Sequence, residues 1–316
     1  MKRNKKEVFK DKQILNIVMW GPSGAGKDWL IRGFIKETDD FNKNVGASNQ
    51  GREVAYYYNI AQYGGLRVPT ENMAVNHFST ANAESLELEF YREFRGKSQS
   101  PYYIKYYHHV VIHNNMGGEM VKVVANLSED PAISTLFNPM NNHFIVVLEP
   151  PGEETMVNRE EDDNEDDLQR ILQGKAETGS PTFTRVEYCR SLKDFFNFLD
   201  QKGKKNIAIC LSKADTHDKR GEPMQVLAQL YGKDLLVEVE KQQANHNIKV
   251  FLTTTEGFDK PNTSSGNAFR NPTNTASPFF WFFEEAEKER LKKNAPAIFT
   301  GARLFPSNYV PYPQPE

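Results

Sequence analysis

An α/β fold, with a mainly parallel sheet covered by helices on both faces, is what this sequence predicts. Two observations carry the prediction. Buried-strand runs and helical patterns alternate from about residue 13 to 294, as they do when parallel strands are joined by crossover helices. The chain of 316 residues shows no internal repeat, and that length suits one large α/β domain or a standard one carrying insertions.

The elements follow in order. Residues 14–20, 110–112, 144–148, 207–211 and 248–252 are short apolar runs without polar alternation, which predicts strands buried on both faces. Residues 85–94 instead alternate Leu86, Leu88 and Phe90 with Glu87 and Glu89, the pattern of a hairpin arm at a sheet edge. Helices are expected after Lys27, over 186–199, over 223–246 and over 278–293, the last two opening with Pro223 and Pro278 in the first turn. The last helix carries Phe279, Phe280, Trp281, Phe282 and Phe283, a face expected to pack on the sheet. Residues 1–12 form a basic N-terminal extension, 150–181 and 257–277 are insertions, and 295–316 is a Pro-rich tail expected to be extended.

Composition narrows the function classes. Lys plus Arg is 39 against 42 for Asp plus Glu, a formal charge of -3, which gives no broad electrostatic case for nucleic acid or an anionic membrane. Nine acidic residues and one arginine fall within 153–167, so the remaining body is mildly basic. The two cysteines, Cys189 and Cys210, offer no disulfide framework and no metal-ligand spacing, which fits a reducing, cytoplasmic setting. Apolar stretches stay well short of the roughly 20 residues that span a bilayer, so no transmembrane segment is expected. His108 and His109 are adjacent on a strand and must face opposite sides, which makes them structural rather than a joint metal site.

The sharpest motif is Gly21-Pro22-Ser23-Gly24-Ala25-Gly26-Lys27. It fits G-x-x-x-x-G-K between a strand and a helix, the P-loop (Walker A) arrangement in which successive backbone N–H groups wrap phosphate oxygens. Lys27 would add an ammonium over the β- and γ-phosphates, and the helix N-terminus a partial positive charge. Asp28 follows where Ser or Thr usually supplies a magnesium-ligating hydroxyl.

The buried run at 206–211 leads into Ser212-Lys213-Ala214-Asp215. There the chain resembles the guanine-recognition box of Ras-like P-loop GTPases, and it is identified as a divergent member of that superfamily. The resemblance implies that Asp215 accepts from the guanine ring N–H and exocyclic amine while the Lys213 stem covers the base. A carboxylate suits guanine, which presents two adjacent donors, and opposes adenine, which presents an acceptor. Leu252-Thr253-Thr254-Thr255 is similar to the family's final base-contacting box, with Thr254 as the contact. Val68-Pro69-Thr70-Glu71 resembles the first switch, in which Thr70 would bind Mg2+. The run from Val110 through Asn114 to Gly117 and Gly118 resembles the second, with Asn114 where the family has Asp and Gly118 where many members have a water-positioning Gln. The family implies a six-stranded sheet with the nucleotide, GTP or GDP, at the C-terminal strand ends.

These departures shape the functional expectation. Asp28 and Asn114 together keep one carboxylate at the metal, as if the charge had moved across the ion; loss of an unneeded metal site fits equally. Without Gln at Gly118, Glu119 is the nearest residue to orient water and His113 the next; a partner-supplied arginine would leave no trace. The resemblance therefore implies a nucleotide-dependent switch or slow GTPase acting with an effector or activating protein. A GTPase-like binding module without hydrolysis is the alternative. A P-loop kinase or ATPase is a third, with Arg270 the only lid arginine and Asp215 opposing adenine. Both insertions follow strands and so belong at the nucleotide edge of the sheet.

Overall fold

The computed structural model describes residues 6–7, 12–22, 24–45, 53–62, 85–95, 102–113, 142–151, 183–200, 203–216, 221–255, 257 and 272–298. The strands are β1 (Lys6–Glu7), β2 (Lys12–Trp20), β3 (Glu53–Gln62), β4 (Ser85–Arg95), β5 (Tyr102–His113), β6 (His143–Leu148), β7 (Asn206–Leu211) and β8 (Asn247–Leu252). The helices are α1 (Lys27–Val45), α2 (Arg185–Asp200), α3 (Pro223–Tyr231), α4 (Lys233–Gln242) and α5 (Ser277–Ile298).

The strand order is β3-β4-β5-β2-β6-β7-β8, with β1 pairing beside β5. Strands β5, β2, β6, β7 and β8 are parallel, and β4 runs against both β3 and β5. The six strands expected are β4-β5-β2-β6-β7-β8, but the sheet is wider than six and mixed. β3 adds an antiparallel edge, so β4 is a hairpin arm without being the edge strand. β3 shows neither clean alternation nor an apolar run, although Val54, Tyr56, Tyr57, Tyr58 and Ile60 are residues that favour strands; it pairs along β4. β1 lies in the expected N-terminal extension and leads into β2 on the same side of β5, Lys6 opposite Tyr102 and Lys12 opposite Tyr107.

Two further boundaries differ from expectation. The helix expected over 223–246 is two helices, because Gly232 at φ 93° turns the chain between Tyr231 and Lys233. α5 runs past Asn294 to Ile298, so the first tail residues are helical. α2 begins at a reciprocal capping box, in which the Thr184 N–H donates to Glu187 Oε2 at 2.7 Å and the Glu187 N–H to Thr184 Oγ1 at 3.3 Å.

Helices cover both faces of the sheet. On one face Val18, Phe144, Val146, Ile209 and Val250 pack against α2, α3 and α4. On the other Ile17, Ile145, Val147, Cys210 and Phe251 pack against α1 and α5. All six residues of β6 are buried, as a central parallel strand requires. The five successive aromatics of α5 are buried as well, which bears out the packing expectation. Phe34 of α1 stacks on Phe279 at 4.4 Å and Phe90 of β4 on Phe283 at 4.6 Å; such pairs add about 0.5–1.5 kcal/mol each beyond their area. His108 is structural as expected: it lies buried over Phe283 with Nε2 3.0 Å from Glu287 Oε1, while His109 on the opposite face is half-buried.

Candidate functional site

β2 ends at Trp20 and the glycine motif begins at the next residue, between the strand and the first turn of α1. Gly21 comes so close to β6 that an added Cβ would fall on the Val147 carbonyl oxygen. Gly26 has φ 96°, a left-handed conformation that an L side chain rarely adopts, and faces Ser212 across the loop. Lys27 opens α1 and folds back over the loop, its Nζ donating to the Gly21 carbonyl at 2.7 Å and the Pro22 carbonyl at 3.0 Å. The side chain is only 8% exposed. Burial pulls its pKa from the ordinary 10.5 to about 8, against the raising effect of Asp28 and Glu149. This is an ammonium held in a cradle with little water to stabilise it, which is the electrostatic setting for an anion.

The base-box residues meet this loop from the next strands. Ser212, buried at the end of β7, has its hydroxyl 2.7 Å from the Ala25 carbonyl and 3.1 Å from the Leu148 carbonyl. One hydroxyl proton serves one acceptor at a time, and the shorter contact ties the glycine loop to the end of β7. Ser212 therefore has a structural task in addition to any contact with a base. Ser212→Ala leaves the buried Ala25 carbonyl without that donor and should lower stability by about 1–2 kcal/mol in urea unfolding, with the denaturant slope unchanged.

Lys213 sits at φ 54°, an unusual conformation for a residue with a Cβ. The Thr216 N–H and hydroxyl both donate to its carbonyl, at 2.9 and 2.8 Å. Asp215 accepts from the Thr254 hydroxyl at 2.5 Å, so the two residues expected at the base are in direct contact. Thr254 is held in turn: its main chain pairs with Thr273, and the Gly257 N–H donates to its hydroxyl at 3.2 Å. The segment carrying Thr273 is anchored on α1, where Glu37 accepts from the Thr275 hydroxyl at 2.7 Å and the Ala276 N–H at 2.5 Å. Gly33 lets that segment approach, since a Cβ there would lie 2.6 Å from Thr275 Oγ1.

The structure thus brings together Gly21, Pro22, Gly24, Ala25, Gly26, Lys27, Asp28, Ser212, Lys213, Asp215 and Thr254 at the C-terminal ends of β2, β7 and β8. Ser23, Thr70, Asn114, Gly117, Gly118, Glu119 and Arg270 lie outside the described residues. Asp28 is half-buried in the first turn of α1 beside Lys27. A carboxylate oxygen is a donor that magnesium accepts, with waters completing its shell. Among the described residues no cluster of three or more His, Cys, Asp or Glu is placed to hold an ion, so Asp28 fits as one ligand and not as a cage. His113 ends β5 half-buried, with its pKa lowered by burial.

One residue the sequence did not single out stands at the centre. Glu149 follows β6 directly, is 6% exposed, and accepts from Lys213 Nζ at 2.6 Å. The Tyr231 hydroxyl donates to its main-chain carbonyl at 2.6 Å. No local motif marks it, and in the sequence it merges with the acidic stretch that follows.

No helix among the described residues is long and apolar enough to cross a membrane. The sequence matches no protein-family profile and no curated protein sequence. Among solved structures it is similar to the small COPII coat GTPase SAR1 from Encephalitozoon cuniculi in complex with GDP, at 12% identity and a TM-score of 0.35, covering 89% of this chain and 84% of that one. It is similar to the GTPase-like domain of S. cerevisiae Ski7 bound to GTP, at 11% identity and a TM-score of 0.30, over 76% of this chain and 43% of that one. Translation elongation factor SelB from Methanococcus maripaludis, in complex with the GTP analogue GPPNHP, matches at 9% identity and a TM-score of 0.32. That match covers 78% of this chain, which spans about a third of SelB's length, 31%.

Proposed function

We propose that this protein binds a guanine nucleotide at the C-terminal edge of its sheet and acts as a nucleotide-dependent switch or slow GTPase. The observation that carries the reading is the direct join between the two halves of the site. The Ser212 hydroxyl touches the P-loop at Ala25, and three residues on Asp215 is fixed by Thr254. The glycine loop and Asp215 are thereby linked through one short segment, which supports a single nucleotide spanning both.

In this reading Lys27 exchanges its two main-chain carbonyls for phosphate oxygens, a stronger charge-assisted interaction. Asp215, oriented by Thr254, accepts from the two adjacent donors of guanine. Asp28, with Thr70, would hold magnesium, which supplies charge neutralisation along the phosphates. Glu119 or His113 would orient water, and an effector or activating protein would read the switch segments at Thr70 and Asn114 to Gly117. Gly118 in place of a water-positioning Gln favours the second reading, a module that keeps its nucleotide without turning it over. A cytoplasmic location is part of the proposal, since the site needs a nucleotide pool.

The test is to identify the nucleotide that co-purifies with the full chain and to titrate it with GDP, GTP, ADP and ATP. Binding of GDP or GTP at least tenfold tighter than the adenine counterparts is expected. Equal affinity for both bases would overturn the guanine assignment, and multiple turnover of GTP above blank would exclude the non-hydrolysing alternative.

A further inference from the structure

We infer that Glu149 is a positioning residue of the base pocket, holding the Lys213 ammonium so that the lysine stem lies fixed beside Asp215. The inference rests on the guanine-nucleotide reading and deepens it. Three observations lead there. Glu149 is buried between the P-loop and the base box, because Leu148 is in register with Leu211 and the chain continues from each into the site. Its carboxylate takes Lys213 Nζ at 2.6 Å, a short charge-assisted bond, although the Lys213 side chain is 46% exposed and could otherwise extend into water. Lys213 is also held in the left-handed conformation by the Thr216 contacts to its carbonyl. Strain of that kind persists where the surroundings over-determine it.

The chemistry of the arrangement is specific. A lysine whose ammonium is tied down presents its four methylenes as a flat apolar strip, and that is what covers a purine face. Released, the same side chain regains its rotamers and must be ordered each time a base enters. Glu149 also acts electrostatically on Lys27, so a single carboxylate stands between the cation on the phosphate side and the cation on the base side. Its carbonyl is fixed by Tyr231 of α3, which leaves the carboxylate little freedom to follow Lys213 elsewhere.

The experiment measures affinities of the full chain for GDP and for pyrophosphate, in wild type, Glu149→Gln, Lys213→Met and the double variant. Glu149→Gln removes the buried charge while keeping the volume, and its partner Lys213 is exposed enough to find water. GDP should bind about tenfold more weakly to each single variant and no more weakly to the double, the non-additivity of two residues acting as one unit. Pyrophosphate affinity should stay within about twofold for Lys213→Met, and Glu149→Gln, which removes a negative charge acting on Lys27, should not weaken it, whereas a general structural role would weaken both ligands. Should Glu149→Gln fail to fold, the double variant, which leaves neither charge unpaired, carries the same expectation against Lys213→Met. Additive losses, equal losses on pyrophosphate, or unchanged GDP binding would each overturn the proposal while the nucleotide reading stands. A wild-type chain that binds neither GDP nor pyrophosphate would overturn both.

Discussion

Guanine-nucleotide affinity is expected to weaken about tenfold per pH unit above roughly pH 8, where the buried P-loop lysine loses its proton. Lys27 is 8% exposed and its pKa is lowered to about 8 by burial. A bound polyphosphate favours the charged form and raises that pKa again. Between the two values each binding event must take up a proton. The second ionisation of phosphate, near about 6, is complete by then, whereas the guanine ring N–H itself ionises at more alkaline pH, so the loss due to Lys27 is read between about pH 7 and 9. Calorimetric titrations in buffers of different ionisation enthalpy should show proton uptake rising from near zero at about pH 7 towards one at about pH 9. Affinity that stays flat to about pH 10 would show that Lys27 is not the group that meets the phosphates.

The same shift has a consequence of opposite sign for stability. Lys27 falls from 10.5 in the unfolded chain to about 8 in the folded one, so between those values the unfolded chain binds more protons and stability rises with pH. Below that window the free chain carries the full cost of a buried ammonium, up to about 3 kcal/mol for a shift of this size. Lys27→Met should therefore raise the stability of the free chain by about 1–3 kcal/mol, since two hydrogen bonds to carbonyls are lost with the charge. It should weaken GDP about a hundredfold or more. A substitution that stabilises the fold and removes binding is the pattern expected of a site strained for its ligand.

How much of this was legible in the sequence follows from where the controlling forces act. The glycine turn between β2 and α1 could be read because glycine, lysine and the strand-to-helix junction are local, and the position of Asp215 at a strand end because a buried strand delivers it. Alternation and apolar runs marked β2, β4, β5, β6, β7 and β8, whose patterns lie in their own residues. β3 was hidden because the run Tyr56, Tyr57 and Tyr58 breaks the alternation that marks a half-buried strand, although tyrosine favours strands. The break at Gly232 rests on its backbone conformation, φ 93°, which the residue type permits but does not dictate. Glu149 was illegible for a stronger reason: its partner Lys213 is far along the chain, and an acidic residue beside an acidic insertion carries no signal of burial. The place of Ser212 at the end of a buried strand could be read, but its contact with Ala25 across the sheet could not.

On the guanine-nucleotide reading, Asp215 gives the largest expected loss. Asp215→Ala removes an acceptor from two guanine donors at once, and hydrogen bonds to a charged group are each worth about 1.5–3 kcal/mol. GDP affinity should fall by about 10²–10⁴-fold while pyrophosphate affinity stays within a few fold of wild type, because the cradle is built by Gly21 to Lys27 and not by this loop. ADP binding should be unchanged or slightly tighter, since the variant no longer opposes adenine's acceptor with a negative charge. Thr254→Val separates orientation from recognition. It removes the 2.5 Å bond that aims the Asp215 carboxylate and leaves the acceptor in place, so a loss of about tenfold is expected, confined to guanine nucleotides. The order of the two effects is the decisive feature. If Thr254→Val cost as much as Asp215→Ala, or if both weakened ADP and GDP alike, the loop would be holding the site together and not reading the base.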